Sequence, residues 1–335
     1  MATIYEVSEL AGVSLATVSR VMNKNARVSE KTRDKVLAAM KELGYRPNTI
    51  ARSLASNRSD SVGILVSELR GLFYSQMMSG IEEVLRASEK HVIIAAGHSE
   101  EAEEIDGIEF LIGRRCDALI LHVESVSDEY LIDLAKGSIP VVLINRHIPE
   151  IADRCISLDN ELGGYMSAKA LLEKGHRKIA YISGPLWKHD ASERFKGHKR
   201  ALKEYGATYS ERLFFEGDYS EKAGVNGLSH LLKQGEDFTG LVCANDYMAS
   251  GAMTMAREEK LQLPEQLSIV GFDNIIFAAH LYPKLSTINY PLGRMARATA
   301  HWVLKNVYKQ KNLAEIQNLF EPEFIARDSI ATIKE

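Results

Sequence analysis

Two hydrophobic periods divide this chain. Over the first 44 residues, apolar positions recur at helical spacing in short bursts. They predict three helices: Ile4–Ala11 with Thr3 as N-cap, Ser14–Asn23, and Glu30–Leu43, capped by Ser29 and closed by Gly44. Val7, Leu10, Val13, Val18 and Val21 supply a small shared core. Gly12 gives the corner between the first two helices its backbone freedom, so A-G-V-S has helix-turn-helix spacing. Beyond a polar break at 57–60 the period changes. Apolar runs at 61–66, 92–97, 118–123, 141–145, 178–184, 240–245 and 267–272 alternate with helical patterns at 74–89, 101–113, 161–174, 193–205, 222–234 and 246–258. Near-continuous apolar strands separated by helices predict doubly wound parallel sheets. The strands fall into two sets either side of about residue 160, which predicts two lobes.

Composition narrows the function. A chain of 335 residues with 45% hydrophobic content suits two or three compact units. No apolar run reaches membrane-span length and no signal-peptide pattern precedes Thr3, so a cytoplasmic location and no membrane are expected. Cys116, Cys155 and Cys243 lie far apart without metal-ligand spacing, which predicts neither a disulfide scaffold nor a metal site. Net charge is −4, yet residues 1–59 hold ten Lys/Arg against five Asp/Glu, leaving +5 on the head and −9 on the body. A basic head on an acidic body draws phosphate to one end.

The polar residues outside the head's core fit that reading. Ser14, Thr17, Ser19, Arg20, Asn23 and Arg27 carry short hydroxyls, an amide and two guanidinium groups, which bond phosphates and base edges. Leu15 and Ala16 sit at recognition positions and can touch only thymine methyls, which leaves Arg20 as the main polar base reader. The stretch 48–56 (NTIARSLAS) after Pro47 reads as a helix too short to be stable alone. Strand ends in a doubly wound sheet are where ligands sit, and here they read Ser67-Glu68, Gly97-His98, Asn145-Arg146, Gly184-Pro185, Asn245-Asp246 and Phe272-Asp273.

The ordered patterns V-S-x-x-T-V-S-R-V-x-N and G-Y-x-P-N-x-x-A-R-x-L resemble the lactose/galactose repressor family. The likeness continues through VVLINR, LDN, EGDYS, ANDYMASGAM, VGFDN and STINYPL. Within the family it is strongest to galactose repressors, through VLINRHIP, RCISLDN and AEIQNLF. The resemblance implies a helix-turn-helix domain over 1–46, a hinge helix and linker over 47–58, and a two-lobed periplasmic-binding-protein-like core over 59–335. Lobe one would cover about 59–159 and 289–320, and lobe two about 160–288 and 321–335. It adds Thr3, Tyr45 and Asn48 to the DNA contacts and makes Leu54 an apolar wedge in the minor groove. For a sugar effector it implies Asn145 and Asp273 holding hydroxyls, Arg194 reaching across as a forked donor, and Asn245 completing the set. Tyr219 would stack on the ligand, with Phe73 and Tyr74 as aromatic wall. Arg146 would face the cleft or pair with Asp159. Asn245-Asp246 also reads as a plain helix N-cap, and Asp273 as an Asx-turn. Histidines 98, 122, 147 and 189 decorate the cleft or belong to surface and core.

The resulting expectation is a transcriptional repressor that binds a pseudo-palindromic double-stranded operator as a homodimer and responds to a sugar, galactose first. No heptad tail follows ARDSIAT to support a tetramer. A corepressor type answering to a purine or partner protein is the alternative. No cofactor is expected, and no catalysis: there is no GxGxxG after a strand, no GxxxxGK[ST], no G-x-S-x-G and no metal triad.

Overall fold

The computed structural model describes residues 2–22, 28–46 and 58–333. The chain forms two compact units, Met1–Asp60 and Ser61–Glu335. In the first, α1 (Ile4–Ala11), α2 (Leu15–Met22) and α3 (Glu30–Glu42) close on Val7, Ala11, Val18, Val21, Val36 and Ala39. Thr3 and Glu6 form a capping box: Thr3 N donates to Glu6 Oε2 at 2.6 Å, and Glu6 N donates to Thr3 Oγ1 at 3.4 Å. Gly12 ends α1 at φ +64°. Leu10 is not in this core. It is 47% exposed, because the buried stripe of α1 runs from Val7 to Ala11, one turn on, and Leu10 lies to one side of it.

The second unit holds two six-stranded sheets. The first collects β1 (Ser61–Val66), β2 (His91–Ala96), β3 (Ala118–Leu121), β4 (Val141–Ile144) and β5 (Cys155–Leu158). The second collects β6 (Ile179–Ser183), β7 (Phe214–Glu216), β8 (Gly240–Cys243), β9 (Ser268–Asp273) and β10 (Ser286–Asn289). Two short strands, β11 (Leu319–Phe320) and β12 (Glu323–Ile325), complete one sheet each. The orders are β11-β5-β4-β3-β1-β2 and β12-β10-β9-β8-β6-β7, the same winding twice. Every pairing is parallel except β10 with β12. The chain therefore leaves the first sheet after β5, returns after β10, and divides its last two strands between the sheets.

Helices α4 (Leu72–Ala87), α5 (Glu101–Gly113), α6 (Asp128–Lys136) and α11 (Leu292–Asn306) belong with the first sheet. Helices α7 (Asn160–Leu172), α8 (His189–Glu204), α9 (Glu221–Lys233) and α10 (Asp246–Glu258) cover the second. The sequence pattern missed β5, β7, β10, β11, β12, α6 and α11. The strands are two to four residues long, and β10 is largely polar: Thr287 is buried through its hydrogen bond to Asp246 (2.6 Å), and Ser286 through one to Ser329 (2.8 Å). Helices α7 and α8 cross very closely. A Cβ on Gly164 would meet the Arg194 carbonyl oxygen at 1.9 Å, and one on Gly197 would meet that of Glu161 at 1.9 Å.

His198 on α8 sits inside this lobe, 4.5 Å from the Tyr181 ring, with both ring nitrogens buried and unbonded. Burial, then Lys199, pushes its pKa down to about 3. The folded state therefore keeps His198 neutral while the unfolded chain takes up a proton as pH falls below about 6.5. Stability tied to this residue is present above pH 6.5 and lost on acidification towards pH 3. His198→Phe is expected to flatten that limb by on the order of 1 kcal/mol per pH unit. Urea titrations at pH 7.5 and 5 check this; parallel losses in variant and parent would refute it.

Candidate functional site

A polar face of the head runs along α2. Ser14, Ala16, Ser19 and Arg20 are exposed along the start and outer side of α2, while Leu15 and Thr17 are half-buried. Ser14 Oγ lies 2.9 Å from Thr17 Oγ1 and accepts from Thr17 N at 3.3 Å, so it caps α2. Thr3 is engaged with Glu6, and Tyr45 packs against the head's core. Asn23, Arg27, Asn48 and Leu54 lie outside the described residues.

The core holds a half-open cavity of about 160 Å³ at the carboxyl ends of both sheets, between the lobes. This is where strand order reverses, at β1/β3 and at β6/β8. The first lobe contributes Gly71, Phe73 and Tyr74 at the start of α4, His122 and Glu124 after β3, and Asn145 after β4. The second contributes Lys188, Asp190 and Arg194 around the start of α8, with Tyr219, Asn245, Tyr247 and Asp273. Phe73 meets Tyr74 (5.3 Å) and Tyr290 (5.2 Å) edge to face, building an aromatic wall. Tyr290 donates its hydroxyl proton to Asn145 Oδ1 at 2.6 Å, tying the aromatic wall to the end of β4, and Leu72 N donates to Tyr247 Oη at 3.2 Å, joining the two lobes.

Three lining residues hold left-handed backbone without being glycine: Asn145 (φ +64°), Tyr219 (φ +69°) and Asp273 (φ +103°). Each such residue costs on the order of 1–3 kcal/mol and persists where the surroundings impose it, commonly at ligand sites. Tyr219 is imposed by Asn245, whose Nδ2 donates to the Tyr219 carbonyl at 2.9 Å. Its ring lies flat on Gly184, where a Cβ would sit 2.2 Å from the ring carbon. The Tyr219 hydroxyl and His122 Nε2 are both buried without a protein partner, while Ser67 Oγ lies 3.1 Å from His122 Nδ1. Both residues line the cavity, one from each lobe.

The charges are already matched within the protein. Arg194 Nε donates to Asn160 Oδ1 at 2.9 Å and Nη1 to the Ala244 carbonyl at 2.7 Å. Its guanidinium lies 3.6 Å from Asp190, 3.7 Å from Asp273 and 3.7 Å over the Phe272 ring. Burial opposes its charge, but Tyr219, Asp190, Asp273 and Tyr290 outweigh that and hold its pKa above the ordinary arginine value. Burial pushes Asp273 well above the usual carboxylate range against the pull of Arg194; Asp246 and Asp190 add to the rise. Asp246, behind the cavity, is pushed up to about 7 by burial, against hydrogen bonds from Thr287 and Ile275 N.

Several sequence expectations need correction. Arg194 does not reach across as an open fork; it neighbours Asp273 in one lobe, and most of its guanidinium is held by protein groups. Arg146 pairs with Asp128 (2.6 Å), not Asp159, and lines an adjoining chamber, not this cavity. Asp159 instead caps α7, accepting from Leu162 N. Asn245 is the N-cap of α10, accepting from Met248 N at 2.8 Å, so its amide is used on both sides. Of the four histidines, His122 lines the cavity; His147 and His189 line the adjoining chamber. Sequence reasoning missed Glu124, Lys188, Asp190 and Tyr247, which lie in the loops after β3 and β6 or in the first turns of α8 and α10 and carry no local signal. Among the described residues no cluster of His, Cys, Asp and Glu could hold a metal, and no helix is long and apolar enough to cross a membrane.

Comparison with known proteins covers both units. The family described as bacterial regulatory proteins, lacI family, matches residues 3–48, and the periplasmic binding protein-like domain matches residues 168–330. The chain is 36% identical to the HTH-type transcriptional regulator GalR of Escherichia coli (strain K12), over 99% of this chain and 96% of that protein. It is 34% identical to the HTH-type transcriptional repressor PurR of Vibrio atlanticus (strain LGP32), over 99% of this chain and 100% of that one. Among solved structures, the lac repressor dimer bound to operator and the anti-inducer ONPF superposes with a TM-score of 0.88 at 28% identity, covering 98% of this chain and 99% of that one.

Proposed function

The chain belongs to the lacI family of bacterial regulatory proteins, and from that premise we propose a homodimeric, cytoplasmic repressor of carbohydrate-utilisation genes. Its operator affinity is set by a small sugar held between the core lobes, galactose or a galactoside-like sugar first. It is not an enzyme. The observation that carries the ligand reading is the inter-lobe cavity with its aromatic wall and its two unbonded polar groups, the Tyr219 hydroxyl and His122 Nε2. A sugar offers hydroxyls to those groups and an apolar ring face to Phe73 and Tyr74. Its neutrality suits a site whose Arg194 and Lys188 already face carboxylates. Asn145, Asn245, Arg194 and Asp273 shape the site around it.

In this reading Ser14, Leu15, Ala16, Thr17, Ser19 and Arg20 meet the major groove, with Thr3, Asn23, Arg27, Tyr45 and Asn48 on or near the phosphates. Leu54 wedges into the minor groove at the dyad. Lobe motion alters the spacing of the two hinge segments of a dimer and so couples sugar to operator. By linkage, a sugar that weakens operator binding is itself held less tightly by the DNA-bound dimer.

Calorimetry of the purified chain against sugars and purines tests the ligand. Stabilisation by a purine and by no sugar would move the protein to the corepressor class. For the head, Arg20→Ala is expected to cost about 1–3 kcal/mol at an operator selected from random DNA, and to relax preference at one base pair per half-site. Retardation with operator variants reads both; an equal loss on every sequence would make Arg20 a phosphate contact.

A further inference from the structure

A second chamber of about 190 Å³ adjoins the cavity, with Arg146, His147, Trp187 and His189 in its lining. The two spaces share Glu124, Asn145, Lys188 and Asp190. Among these shared residues is an ion pair that spans the lobes. Lys188 Nζ, from the loop before α8, lies 2.5 Å from Glu124 Oε2, from the loop after β3. Their side chains are only 13% and 12% exposed.

The first-lobe half of this pair is built on a rigid cradle. Glu104 of α5 is fully buried, and its carboxylate accepts the backbone N–H groups of Glu124, Ser125 and Val126 at 2.8, 2.9 and 2.9 Å. Ser99 Oγ donates to Glu124 Oε2 at 2.5 Å, and Ser125 Oγ donates to the Ser99 carbonyl at 2.5 Å. His98 and Ser99 both take left-handed backbone (φ +49° and +56°) to bring that hydroxyl into place. On the other side Lys188 Nζ sits 5.3 Å from the Trp187 ring and 5.9 Å from the Tyr219 ring. Displacing one partner leaves the other charge in a shielded place without a counter-charge.

We propose that the Lys188–Glu124 pair is the size filter of the cleft. It closes the cavity around a single sugar ring and excludes ligands that carry a second ring into the outer chamber. The outer chamber is slightly larger than the cavity, so removing the pair more than doubles the connected space. Trp187 would then offer a face to the second ring. Lys188 and Glu124 are thus specificity-determining residues of the sugar site, and the inference rests on the sugar reading above.

The test is calorimetry on the full chain with two pairs of probes: D-galactose with melibiose, and D-glucose with cellobiose. The parent is expected to bind one monosaccharide and to bind the matching disaccharide at least tenfold more weakly. K188A, which leaves Glu124 on its Ser99 and Glu104 cradle, and the charge-balanced double variant E124A/K188A are each expected to narrow that ratio tenfold or more. The swapped variant E124K/K188E restores the pair and is expected to restore exclusion. An unchanged ratio in K188A and in the double variant, with monosaccharide binding intact, overturns the filter and leaves the sugar reading standing. Equal binding of monosaccharide and disaccharide by the parent does the same. Binding of none of the four sugars by the parent removes the sugar reading and the filter together.

Discussion

Arg194→Ala is expected to lower core stability by about 3–5 kcal/mol and to abolish the response to effector. The side chain is buried, and its charge is the nearest counterweight to both Asp190 and Asp273. Its removal leaves those carboxylates crowded in one shielded place, strands the Asn160 amide oxygen and the Ala244 carbonyl, and empties the space over the Phe272 ring. Asp273→Asn is the milder comparison. It keeps the volume and removes a group that burial already pushes towards its neutral form, so it should fold near normally and weaken the sugar. Denaturant titration and calorimetry on both variants separate the two effects. A denaturation midpoint for Arg194→Ala equal to the parent's would show that the guanidinium does not hold this cluster together.

The second large effect is expected at the crossing of α7 and α8. Gly164→Ala places a methyl group 1.9 Å from the carbonyl oxygen of Arg194, which is backbone and cannot rotate away. The helices must part along their contact, at a cost of about 1–3 kcal/mol or more. Arg194 moves with them, so effector affinity should fall alongside stability. Gly206→Ala is a useful contrast: it sits in left-handed backbone just after α8 but has nothing within 4 Å of its Cβ. It should cost stability through strain while leaving ligand affinity intact. Equal ligand affinity in Gly164→Ala and its parent would disconnect the helix crossing from the cavity.

Much of this architecture is written locally. Helix α1 is bounded by the Thr3 cap and Gly12, and the helix over 246–258 starts at the Asn245 cap, signals that the chain displays plainly; the central strands are apolar on both faces because helices cover both. The outer strands are short or polar, and their burial depends on partners far away, such as Asp246 for Thr287. The cavity's location follows from winding order, which makes the strand ends legible. The use made of each side chain there does not. Nothing near Arg194 in the sequence reveals that Ala244 and Asn160 occupy its fork. Nothing near His122 reveals that Ser67 holds one nitrogen and leaves the other buried and unbonded. Asn and Asp tolerate left-handed backbone, so Asn145 and Asp273 could have been suspected of it; Tyr219 could not.

The division of β11 and β12 between the two sheets governs how the protein can be made. Residues 319–320 finish one sheet and residues 323–325 the other, with only two residues between them. On the ribosome, then, the first lobe lacks its last strand until residue 320 has emerged and the second until residue 325, long after the first helices of the head have left the exit tunnel. The head, whose contacts are local, can fold early and alone; the core must wait and then complete both lobes almost at once. The newborn protein would thus carry a folded DNA-binding head before it possesses the cavity between its core lobes.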